Sequence, residues 1–222
     1  MLKEWFPNVD WAIMWEATWE TLYMTGVAVV ATFILGIILG LLLFLTSKGN
    51  MWENKAVYAV TAAFVNIFRS IPFIILIVLL IPFTNVIVGT IIGENAALPA
   101  LIIGAAPFYA RMVEIALREI DKGVIEAAKS MGANISTIIT KVLLKESMPA
   151  LVSGITVTAI ALVGYTAMAG VIGAGGLGNL AYLDGFQRSR NDVTLAATII
   201  ILIIVFIIQI TGDLITNKID KR

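Results

Sequence analysis

The sequence predicts an all-α protein that crosses a membrane about five times, and three observations carry that reading. Apolar residues make up 59% of the 222, against about half in a soluble domain, and mean hydropathy is +0.96. Uncharged or nearly uncharged runs recur at 21–47, 56–83, 95–110, 147–183 and 193–212, where about 20 apolar residues suffice to cross the hydrocarbon. The charges collect between these runs, above all in 111–148. The chain is therefore expected to form one transmembrane domain over 1–222, with spans near 21–46, 57–82, 95–113, 150–170 and 193–213 and a polar loop near 114–149.

Composition also excludes. A formal net charge of zero argues against a nucleic-acid partner. The chain has no cysteine and no histidine, which removes disulfides, thiolate chemistry and the commonest zinc ligands, so no metal site is expected. It has no Gly-x-x-x-x-Gly-Lys-Ser/Thr loop, so it is not expected to hydrolyse nucleotide itself. Nor is a cleavable signal peptide expected, because no basic segment leads directly into an apolar core.

The elements follow in order. Trp5, Trp11, Trp15 and Trp19 precede the first run, the last three at helical spacing. Tryptophan favours the membrane–water interface, so this stretch reads as a surface-lying helix in contact with lipid. The first span carries Gly36 and Gly40, a Gly-x-x-x-Gly pair that permits close helix packing. The second is interrupted by Arg69-Ser70-Ile71-Pro72. Pro72 removes a backbone donor and is expected to kink or start the span. Arg69 has two readings: a pathway or gate residue, or a cation near the cytoplasmic interface with the span beginning about Ser70. A loop is expected over 82–94. The third run is short at 16 residues, and Pro99 and Pro107 interrupt it. After the fourth span, Gly170, Gly173, Gly175, Gly176 and Gly178 are expected to dissolve regular structure. Irregular backbone at membrane depth needs protein or a water-filled cavity over it, so this is either a pathway-lining loop or a glycine-rich turn.

Orientation follows from lysine and arginine. With five spans, the loop 48–55, the polar island and the tail hold eleven, and the opposite side holds three: Lys3, Arg188 and Arg190. The positive-inside rule places the island and C-terminus in the cytoplasm and the N-terminus outside.

The island itself has the most orderly helical pattern of charge in the chain. Arg111, Glu114, Arg118 and Asp121 are spaced to pair along one face. Glu126-Ala127-Ala128-Lys129-Ser130-Met131 suits a short helix, and Gly132 suits a left-handed end to it. Asn134 and Ser136 are available to cap the next helix, whose apolar positions Ile135, Ile138, Ile139, Val142 and Leu143 recur at helical spacing.

Glu126-Ala127-Ala128, Gly132, Val142 and Leu144 together resemble the EAA loop of ABC importer permeases, although the family has a proline where this chain has Lys145. Asn66 to Phe73, Gly104 to Phe108, Ala110 to Glu114 and Gly173 to Gly178 resemble the methionine-uptake branch of that family. The resemblance implies a type I ABC importer permease fold in the plasma membrane of a prokaryote. It implies that Glu126 to Gly132 insert into a cleft of a separate cytosolic ATPase dimer, which would bind the ATP and magnesium, leaving no cofactor on this chain. It further implies a second copy of the chain, an extracytoplasmic solute-binding protein, and methionine in its L and D forms as the solute. The expected pathway or gate residues are Arg69, Pro72, Gly173, Gly175, Gly176 and Gly178. Other amino acids or short peptides remain alternative solutes. A membrane-embedded enzyme would need intramembrane acids, bases or metal ligands, and a self-sufficient ion-coupled transporter would need acidic residues in its spans. The spans offer no such set.

Overall fold

A computed structural model describes residues 6–220; Trp5, and the Lys3, Lys221 and Arg222 used in the orientation count, lie outside them. Among the described residues every regular element is helical. Helix α1 (Trp11–Thr46) has 36 residues, or about 54 Å at 1.5 Å per residue, well beyond the roughly 30 Å of hydrocarbon. The tryptophans do not form the separate surface helix expected. Nothing between Trp11 and Thr21 breaks the backbone, and the Thr18 and Thr21 hydroxyls donate back to the carbonyls of Met14 and Ala17 at 2.7 and 2.9 Å. Asp10 caps the helix through Ala12 N–H at 2.9 Å. Trp11, Trp15 and Trp19 instead stand exposed on the outer continuation of the first span.

The second apolar run is not one helix. It divides into α2 (Lys55–Ser70) and α3 (Phe73–Leu79), bent by 107°, and continues into α4 (Ile81–Val88) where a loop was expected. Pro72 cannot donate to the last turn of α2, and Ile71 before it is extended at φ −78°, ψ 124°. Pro82 occupies the first turn of α4, where its missing N–H costs nothing, and Gly89 ends that helix at φ +78°. Helix α2 itself begins at Lys55, fourteen residues before Arg69.

Helix α5 (Glu94–Arg118) continues unbroken through Pro99 and Pro107, the residues that disturb its sequence pattern. Neighbouring helices let a membrane helix tolerate the lost bonds. Then come α6 (Lys122–Ser130), α7 (135–146, widened by a π turn at Ile138–Leu143) and α8 (Met148–Ala169). The glycines do not dissolve the chain. A π turn at Gly170–Ala174 extends α8, the backbone reverses through Gly173, Gly175 and Gly176 at φ +98°, +82° and +80°, and α9 (176–187) follows. Helix α10 (Asn191–Ile219) closes the fold.

Packing fixes the relative directions. Tyr23 donates to Asn95 Oδ1 at 2.9 Å, Gly36 lies against Tyr109, and Gly40 lies against Val113 and the Ala110 carbonyl, so α1 and α5 run parallel. The intervening α2–α4 must therefore carry the chain back across once. Helix α8 is antiparallel to α5, with Gly154 beside Tyr109 and Met112 at one end and Gly93 N–H on the Gly173 carbonyl at the other. Helix α10 returns along α8, with Gly212 on Thr156. Four helices are long and apolar enough to span, and the bent pair supplies the fifth crossing.

A Cβ at Gly40 would stand 2.5 Å from that of Val113 and 2.8 Å from the Ala110 carbonyl oxygen. Gly40→Leu is therefore expected to wedge α1 from α5 at a cost of about 1–3 kcal/mol. A melting curve of the purified variant should fall by roughly 2–12 °C, whereas Gly26→Leu, with nothing within 4 Å, should melt as the parent does.

Candidate functional site

The predicted site residues fall into three separate places. Glu126 to Gly132 lie at the end shared by Thr46, Arg118 and Met148. Arg69 and Pro72 lie at the α2–α3 break, and the glycines lie at the opposite end, beyond the 22 residues of α8, which rise about 33 Å.

The corner at Gly132 is built from local bonds. Asp121 accepts from Gly123 N–H at 2.8 Å and starts α6. At its end Gly132 N–H donates to Lys129 O at 2.9 Å and Ala133 N–H to Ala128 O at 3.0 Å, the paired closure of a Schellman motif. That closure requires the left-handed backbone seen at Gly132, φ +81°. Asn134 then caps α7 by accepting from Thr137 N–H at 2.8 Å. Ser136 does not cap; its carbonyl accepts from Thr140. Helix α7 continues through Lys145 to Glu146, and Pro149 sits in the first turn of α8, so a proline at 145 is not needed to end it.

Ile125 and Ala128 of α6 are buried with Ile138 and Leu143 of α7 against Phe44, Leu45, Val113, Leu117 and Leu151. Ala128, only 5% exposed, therefore packs into its own chain rather than presenting a small face to a partner. Val124, Ala127 and Met131 form the free apolar stripe, with Met131 82% exposed, and Glu126, Lys129 and Ser130 are also exposed.

Above the corner, Glu114 is 1% exposed yet doubly compensated. Arg111 donates to Oε2 at 2.5 Å, and Arg118 donates to Oε1 through Nε and Nη2 at 3.1 and 2.7 Å. Two of the three expected pairs thus share one carboxylate; the third, Arg118 with Asp121, is not among the ion pairs of the described residues, and Asp121 serves as a helix cap. Such charge-assisted bonds make burial of the carboxylate tolerable.

At the far end the glycines have packing reasons. A Cβ on Gly170 would meet Asn179 N at 2.4 Å, and one on Gly178 would meet Ala167 Cα at 2.3 Å. Glu20 accepts from Gly176 N–H at 2.6 Å, and Thr21 Oγ1 accepts from Leu177 N–H at 2.9 Å. Glu20 was not foreseen, since its partner lies 156 residues away. Near it Asn8 donates twice to Asp192.

The arrangement is that of a multi-pass membrane protein with an exposed helical corner at one end; among the described residues no three acidic groups are placed to hold a metal. Residues 32–222 match the model of the binding-protein-dependent transport system inner membrane component, and the chain belongs to that family. It is 72% identical over the full length of both chains to the methionine import system permease protein MetP of Bacillus subtilis (strain 168). It is 50% identical over 181 residues, 82% of this chain and 83% of the other, to the probable D-methionine transport system permease protein MetI of Pasteurella multocida (strain Pm70). A structure of the inward-facing MetNI methionine ABC transporter superposes with a TM-score of 0.92 at 47% identity, covering 96% of this chain and all of that one. An amino acid ABC transporter shares the fold alone, at a TM-score of 0.76 and 19% identity over 95% of this chain and 99% of the other.

Two substitutions test the corner itself. Gly132→Val forces a β-branched residue into the left-handed region and should cost about 1 kcal/mol or more. Ala128→Trp overfills the seam and should cost about 1–3 kcal/mol. Both should lower the melting temperature of the purified chain without any partner present, while Ala127→Trp should leave it unchanged.

Proposed function

We propose that the chain is the membrane permease of an ATP-driven methionine importer, working as a pair of identical copies with a separate cytosolic ATPase dimer and an extracytoplasmic binding protein. The observation that carries this reading is full-length identity of 72% to a methionine import permease. The exposed corner supports it mechanically. Val124, Ala127 and Met131 offer an apolar stripe to an ATPase cleft, while Ile125 and Ala128 tie the same helix to α1, α5, α7 and α8. A push on the corner then reaches the spans through packed side chains. The chain supplies pathway and linkage; ATP and magnesium belong to the partner. The eleven-to-three bias in lysine and arginine puts the corner and C-terminus in the cytoplasm and the N-terminus outside a prokaryotic plasma membrane.

Vesicles carrying all the subunits should take up labelled methionine only with ATP, in preference to a panel of other amino acids and short peptides. ATP-independent uptake, or selection of another solute, rejects the assignment. Met131→Asp should lose recovery of the ATPase on co-purification while the permease keeps its melting temperature, and Lys129→Ala should change neither. The chain has no native cysteine, so topology is directly readable: cysteines placed at Asn50 and Asn134 should resist labelling from outside intact cells.

A further inference from the structure

The reversal after α8 has no side chain of its own to hold it. Gly173, Gly175 and Gly176 take φ +98°, +82° and +80°, a region glycine enters freely and leaves as freely. Gly175 stands at the cap of α9, where Ser, Thr, Asp or Asn normally receives the first amides, and α9 has no cap bond from that position. The cap comes from α1 instead. Glu20 Oε2 accepts from Gly176 N–H at 2.6 Å, and Thr21 Oγ1 accepts from Leu177 N–H at 2.9 Å. The fit is close: a Cβ on Gly175 would stand 2.6 Å from Glu20 Oε2, and one on Gly176 2.8 Å from Thr21 Oγ1. A carboxylate there also meets the positive end of the helix dipole. No cation pairs with Glu20 among the described residues.

What the cap holds is a seam. On its other side the reversal brings Ile172 and Ala174 to a cavity that Ile77 of α3, Ile81 of α4 and Ala97 of α5 also line. That cavity is only about 20 Å³, room for about one water molecule. The clefts on the Glu20 side are open, at about 300 and 440 Å³. A conformationally soft wall, tied from one side and nearly dry on the other, thus closes the end opposite the docking corner.

We propose that Glu20 is the positioning residue of the outer closure. By capping α9 from α1 it keeps the glycine reversal seated on α3 and α4, and so bars solute from crossing without ATP. The proposal rests on the reading of the chain as an importer permease with this end outside.

Vesicles carrying the permease–ATPase assembly and loaded with labelled methionine report the closure as efflux without ATP. Hydrogen exchange of the same assembly reports the amides at the start of α9. Glu20→Ala should raise both efflux and exchange about tenfold or more, the weight of a charge-assisted hydrogen bond. Glu20→Gln keeps an acceptor and should fall between that variant and the parent. Glu16→Ala, which lines both outer clefts but is not part of the cap, should behave as the parent. Parent-like efflux in Glu20→Ala overturns the proposal, because the cap then has no part in closure. Parent-like exchange overturns it as well, and so does equal efflux from Glu20→Ala and Glu16→Ala, which would assign the effect to outer charge. Should Glu20→Ala fail to assemble, Thr21→Val and Glu20→Gln decide: raised efflux in both supports the proposal, and parent-like efflux in both makes Glu20 merely structural. A parent that imports a different amino acid is assayed with that solute, and the methionine assignment alone falls. A parent without ATP-driven import takes down the permease reading and this proposal together.

Discussion

Gly36 and Gly40 present no Cβ, and because of that α1 can lie directly on Tyr109, Ala110 and Val113. Larger side chains at either position would collide with those residues. The contact is parallel, which has a topological price: the chain between the two helices must cross back between Thr46 and Glu94. It does so through the shortest helix set in the fold, with the 107° bend at Ile71–Pro72. The broken crossing is the route by which the chain returns from Thr46 to Glu94.

The two ends of the bundle are held by different physics. At the docking end the contacts are chiefly apolar, Ile125, Ala128, Ile138 and Leu143 against the spans, with one compensated carboxylate above them. Close packing of this kind transmits displacement because it cannot be compressed without leaving cavities or strain. At the opposite end the ties are polar and reach across the sequence: Glu20 to Gly176, Thr21 to Leu177, Gly93 to Gly173 and Asn8 to Asp192. They fix the glycine reversal to α1, α5 and α10 in a definite register. The bundle is therefore tied at both ends, by apolar contacts beneath Gly132 and by polar bonds at the glycine reversal.

Much of this was legible in the sequence where the cause was local. Charge-free runs located the spans, Asn134 gave the α7 cap, Gly132 gave the left-handed corner, and the spacing of Arg111, Glu114 and Arg118 gave the ion pairs. What escaped was set by tertiary contact. Ala127 and Ala128 are the same residue type, and only packing against α5 and α7 decides that one faces inward and the other out. Glu20 gave no signal in the sequence because its partner is a backbone amide beyond α8. The glycines after α8 read as irregular backbone because Gly170 and Gly178 answer to neighbours, Asn179 and Ala167, that come close only when the chain folds back. Pro99 and Pro107 disturb the pattern without ending the helix, since surrounding helices meet their cost.

Helix α2 is thinly supported within the single chain. Of its 16 residues only Thr61 and Val65 are buried, and Val60, Phe64 and Ile67 face outward from the single chain. Lipid can cover those apolar residues, but it cannot satisfy the side chains of Asn66 and Arg69, which are exposed on the same helix. A surface apolar along much of its length and polar where the helix breaks is poorly matched to lipid alone. It is well matched to a second copy that seals part of the helix and leaves the broken end over a hydrated route. The position of the break, rather than the number of spans, is thus the strongest physical reason in this fold for reading the chain as half of a pathway.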